Sequence, residues 1–85
     1  MVNTEIWRID TCKKHAGYRS NASIYALVKA GLWPRPVQIG IRSVGWPAEE
    51  VQAICRARIA ECDNNQLKAL VDELHAKRAE LLPQV

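Results

Sequence analysis

Five side chains in this 85-residue chain could take part in nucleophilic or metal chemistry: Cys12, Cys55, Cys62, His15 and His75. Their spacing argues against it. The thiols are odd in number, form no C-x-x-C pair and have no histidine at ligand distance in sequence, so neither a disulfide framework nor a zinc site is expected. His15 and His75 stand alone and read as surface or helix-packing residues. No Ser/His/Asp, Cys/His or paired-carboxylate set stands out, and a nuclease would need metal-binding acids in the basic half, where only Glu5 and Asp10 occur. The expectation is a non-enzyme with no metal and no cofactor.

The distribution of charge is more informative. Residues 1–46 hold seven basic and two acidic side chains, whereas residues 47–85 hold five basic and seven acidic ones. The first half suits a polyanion and the second half suits protein. Arg19, Ser20, Asn21, Ser23, Tyr25 and Lys29 crowd one stretch of the basic half, and Arg42 follows. Such groups can donate to phosphate oxygens and meet base edges.

These residues must be positioned by a single small domain, since 85 residues do not make two. With no Phe in the chain, the core is expected to be mainly Ile, Val, Leu and Ala. Ile6 to Ile9 alternates as a short strand, Asp10 has the chemistry of a helix N-cap, and Gly17 closes a first helix. A second helix runs from about Ala22 to Ala30, capped by Ser20 or Asn21 and stopped by Gly31 with Pro34 and Pro36. The helical period buries Ile24, Leu27 and Val28 and leaves Ala22, Ser23, Tyr25, Ala26 and Lys29 on the open side. Small residues there would let the helix enter a DNA major groove, although a plain structural hairpin of helices fits the same pattern.

Val37–Gly40 and Ser43–Trp46 read as a β-hairpin whose tip carries Arg42, the form of a wing beside a helix-turn-helix. A solvated turn residue is the alternative for Arg42. Pro47, Glu49 and Glu50 suit the start of a third helix to about Glu61, with Val51, Ile54, Cys55, Ile59 and Cys62 at core spacing. Asp63-Asn64-Asn65 breaks that helix and caps a last one from Gln66 to about Leu82. Its stripe of Leu67, Leu70, Val71, Leu74 and Leu81 can fold back on the domain or join a second chain, and positions 67, 71, 74, 78, 81 and 85 also fit a short alternating spacing. The expected fold is mainly α with a small β-hairpin (α+β): a winged helix-turn-helix over residues 1–61 with a C-terminal amphipathic helical extension over 62–85.

From about Ile6 to Ile59 the chain resembles the AlpA family of small phage and prophage regulators, relatives of excisionases with a MerR-like winged helix-turn-helix. The resemblance lies in Ile9, Gly17, Ile24-Tyr25, Gly31 with Trp33-Pro34-Arg35-Pro36, the wing from Val37 to Arg42, Val44-Gly45-Trp46 and Glu50-Val51, in that order. The turn from Gly17 to Tyr25 is one residue longer than the family's usual pattern, Trp33 stands where Phe is typical, and Ile54 stands where a second Trp is common. The resemblance implies a sequence-specific DNA binder of a mobile element, acting as a transcriptional regulator or as an excisionase that bends attachment-site DNA for an integrase.

On that reading Asn21, Ser23 and Tyr25 approach base edges, with Ser20 beside them. Lys29 meets phosphate, Arg19 reaches from the turn, and Arg42 reaches the minor groove or its rim. Double-stranded DNA is the expected partner. Self-association on repeated sites, through Leu67, Leu70, Val71, Leu74 and Leu81, would compensate for the weak affinity of one small module. The rival reading is a protein-interaction adaptor or anti-repressor that uses the C-terminal helix. With no apolar leader and no apolar stretch long enough to span a bilayer, a cytoplasmic protein of a bacterium or phage is expected.

Overall fold

The computed structural model describes residues 4–82. The elements are β1 (Ile6–Trp7), α1 (Ile9–Ala16), α2 (Asn21–Ala30), β2 (Val37–Gly40), β3 (Ser43–Pro47), α3 (Ala48–Ile59), α4 (Asn64–Lys77) and a 3-10 turn, η1 (Arg78–Leu81). This is the expected α+β architecture, mostly helical with a small antiparallel sheet.

The hairpin gains a third strand. β1 pairs with β3 in register Ile6 to Pro47 and Trp7 to Trp46, giving the order β1-β3-β2. The Glu5 carbonyl also accepts the Ala48 N–H at 2.8 Å, satisfying one of the orphan donors at the start of α3. Between Gln38 and Gly40 the β2 register shifts against β3, which leaves Ile39 outside the ladder.

Both α1 and α2 end on left-handed glycines, Gly17 at φ 85° and Gly31 at φ 79°. Leu32 N–H reaches the Leu27 carbonyl at 2.9 Å and Gly31 N–H that of Val28 at 3.1 Å, so the orphan carbonyls of α2 are used. At the other end Ser20 is the N-cap, its hydroxyl accepting from Ser23 N–H. The expected cap at Asp10 is not formed. Arg8 occupies that position without a side-chain bond, because the helix starts at Ile9 and Asp10 lies within its first turn, 3.2 Å from Lys13.

The core is built around two tryptophans rather than aliphatic residues alone. Trp33 and Trp46 are its largest fully buried side chains, packed with Cys12, Ile24, Val51, Ile54 and Val71. Trp46 spends its one polar atom on the Pro34 carbonyl, at 2.7 Å. Ile59, expected inside, is 82% exposed because α3 outruns the core at its last residue.

α4 opens on a capping box, Asp63 Oδ1 accepting from Gln66 N–H and Gln66 Oε1 from Asp63 N–H, both at 2.8 Å. Leu67 and Val71 are buried within the chain itself, and Leu70 and Leu74 are half-buried. The helix therefore folds back on the domain. It does not run regularly to Leu82: α-helix gives way to η1 at Arg78, and Leu82, which precedes Pro83, is extended. Leu81 consequently leaves the stripe and is 58% exposed. Val85, the last position of the alternating spacing, lies outside the described residues.

Candidate nucleic-acid interface

α2 buries Ile24 completely and half-buries Ser23, Leu27 and Val28, so Asn21, Ala22, Tyr25, Ala26 and Lys29 form the open face, and Ser23, expected on it, is drawn in beside its N-cap partner Ser20. Its first turn carries no acidic residue that would repel an anion from the positive end of the helix. Among the described residues, the side chains of Arg19, Asn21, Lys29 and Arg42 make no hydrogen bond or ion pair. They are free to meet a ligand without losing an internal contact.

Tyr25 is different in kind. It is 44% exposed, and its ring lies 6.0 Å from that of Trp46 at a tilt of 56°, so the side chain rests against a residue of β3 while part of it stays open to solvent. This contact joins the open face of α2 to the sheet that carries the wing. The two serines are engaged locally, since the Ser20 and Ser23 hydroxyls lie 2.9 Å apart and close the start of α2. Their orientation is thus set by the cap rather than left free.

Arg42 and Ile41 form the two-residue turn between β2 and β3, and Ile41 is 93% exposed. Gln38 Nε2 donates to the Gly40 carbonyl at 3.1 Å and braces the strand just before that turn. Arg35 is a further exposed cation, in the segment between α2 and β2, that the sequence pattern does not single out as a contact. The flanking prolines are the available signal, since they make this short link stiff enough to present a side chain at a fixed place.

Cys12 and Cys55 are packing groups. Cys12 is fully buried, burial pushes its thiol up to about 11, and its Sγ lies 3.9 Å from the Trp7 carbonyl oxygen. Burial also raises the Cys55 thiol, whose Sγ faces the His15 carbonyl. Thiols held protonated in this way are poor nucleophiles and poor metal ligands. His15 stacks on Trp7 with ring centroids 4.2 Å apart, and among the described residues no group of three His, Cys, Asp or Glu is placed to hold a metal.

A second surface lies away from α2. Ala53, Leu70, Leu74 and Leu81 line a groove of about 340 Å³ between α3, α4 and η1, edged by Glu49, Arg56, Lys77 and Glu80. No helix of the described residues is long and apolar enough to cross a membrane.

A family model described as prophage CP4-57 regulatory protein (AlpA) matches residues 12–59, from within α1 through the last residue of α3. No curated protein and no solved structure is similar enough to the chain to count as a match.

Proposed function

The chain belongs to the AlpA family of prophage regulatory proteins, and from that premise we propose that it is a sequence-specific DNA-binding protein of an integrated element. It regulates transcription, directs excision in concert with an integrase, or does both through one interface. The observation that carries this reading is the open face of α2, with Asn21, Tyr25 and Lys29 unengaged by other polar groups, on a framework whose hairpin tip carries the unpaired Arg42. α2 enters the major groove. Asn21, Ser23 and Tyr25 meet base edges, Arg19 and Lys29 meet phosphates, and Arg42 meets the minor groove or its rim. DNA places the site of action in the cytoplasm of the host cell.

The test is a fluorescence-anisotropy titration against randomised and attachment-site-type duplexes at two salt concentrations. Binding is expected to be selective and salt-dependent, and Arg42→Ala is expected to lower the salt slope by about one. No binding above that of an uncharged protein of equal size would overturn the reading, and an unchanged slope would remove the wing contact.

A second reading, of a protein contact, is favoured by the groove at Leu70, Leu74 and Leu81. There a neighbouring copy on a repeated site, or an adaptor's partner, would find apolar surface with a charged rim. Light scattering that shows a strict monomer, both free and on multi-site DNA, would remove the self-association form of it.

A further inference from the structure

α2 and the wing are joined by the short segment Leu32 to Pro36, and two of its residues are prolines with no N–H to offer. Three of its other backbone groups are claimed by side chains from elsewhere. Trp46 Nε1–H donates to the Pro34 carbonyl at 2.7 Å, the Arg35 N–H donates to His75 Nε2 at 3.0 Å, and Arg78 Nη2 donates to the Arg35 carbonyl at 2.8 Å. The guanidinium that reaches Arg35 is itself fixed. Glu50 holds it as a fork, Oε1 to Nη2 at 2.6 Å and Oε2 to Nε at 2.8 Å, in a pair whose side chains are only 16% and 9% exposed.

We propose that His75 and Arg78 are positioning residues, which clamp the backbone of Arg35 from both sides and thereby fix the wing relative to α2. Both lie beyond the family segment of residues 12–59, so the clamp is a property of this chain's C-terminal part. Its role in binding rests on the DNA reading above. A bipartite grip binds well only if its two parts arrive together, because a loose link must be ordered at the moment of binding. Accepting the Arg35 N–H requires His75 Nε2 to be unprotonated, with the ring proton on Nδ1. The charged groups facing that ring are Arg35, Arg78, Glu50 and Asp72, and the two cations oppose a further positive charge there.

Two variants test the clamp. His75→Ala removes the acceptor, and Glu50→Met/Arg78→Met removes both partners of the buried pair together, so that no carboxylate is left uncompensated. In the free protein the Arg35 amide is expected to exchange about tenfold faster in His75→Ala than in the native chain, while amides of α3 stay protected. In anisotropy titrations both variants should bind DNA several-fold more weakly, and Arg42→Ala should cost less in their background than in the native chain. That non-additivity is the mark of positioning, since a mere loss of stability leaves the wing contact at full strength once the protein is folded. Unchanged Arg35 exchange would overturn the clamp, and additive effects with Arg42→Ala would overturn its role in binding. A native chain that binds no DNA would instead overturn the reading of the previous subsection, leaving the exchange result to judge the clamp alone.

Discussion

Gly45 and Ile6 meet so closely across the β1–β3 pair that a methyl group on Gly45 would stand 2.6 Å from Ile6 Cγ2 and 3.0 Å from the Trp7 carbonyl oxygen. The absence of a side chain is what lets β1 lie on β3. Gly45→Ala is therefore expected to lower stability by about 1–3 kcal/mol, as overpacking does. Thermal unfolding checks this, and since the Trp7 backbone also crowds the site, Ile6→Ala should restore only part of the loss.

At the end of α3 the sequence departs from the glycine used at the ends of α1 and α2. Glu61 takes the left-handed conformation, at φ 61°, while Cys62 N–H reaches the Ala57 carbonyl at 3.1 Å and Glu61 N–H that of Arg58 at 3.0 Å. This is the geometry that Gly31 adopts after α2. Glu61→Gly relieves the contact between Cβ and carbonyl oxygen and should stabilise the protein by about 1 kcal/mol, raising the midpoint of denaturant unfolding at constant slope. A lower midpoint would show that the Glu61 side chain contributes more than its backbone strain costs.

Cys12 should resist alkylation. Its thiol is buried and pushed up to about 11, so at pH 8 almost none of it is thiolate and little reagent can reach it. Mass spectrometry after a timed iodoacetamide pulse is expected to find Cys12 unmodified in the folded protein and modified once denaturant is added. Equal labelling in both conditions would contradict the packing of α1 against the core.

Burial, with Arg35 and Arg78 nearby, lowers the affinity of His75 for a proton. In the unfolded chain the same imidazole titrates near its ordinary value of about 6.5, so below that pH the unfolded state binds more protons than the folded one. The stability that His75 contributes is thus present above the unfolded value and is lost as pH falls through the folded one. Between pH 7.5 and pH 5 the native chain should lose more thermal stability than His75→Gln, which has nothing to titrate there. Parallel losses would show that His75 takes no part.

The helix ends are legible in the sequence because they obey local rules: Gly17 and Gly31 mark left-handed C-caps, and Ser20 and Asp63 offer a short acceptor where an N-cap is needed. The wing is legible from alternation on either side of Ile41-Arg42. What escapes is what depends on distant partners. Glu50 looks like an ordinary acid in a first helical turn, and only the fold reveals that Arg78, 28 residues later, buries it. Asp10 looks like a cap because its chemistry suits one, yet the start of α1 is fixed by the β1 pairing just before it. Ile59 keeps the helical period but falls beyond the last element that could cover it. For the candidate interface, the sequence identifies which groups are polar and basic, whereas the resting place of Tyr25 on Trp46 is a tertiary fact.

Trp7 and Val71 both help to close the core, and neither lies in the segment of residues 12–59 that marks the family. The segment recognisable by descent is therefore smaller than the set of residues that packs the core. A graft that moves only the recognisable segment into another scaffold would leave the core cluster without part of its cover, and it should behave as a loose, protease-sensitive chain. Residues from β1 through α4 together close the core of this protein.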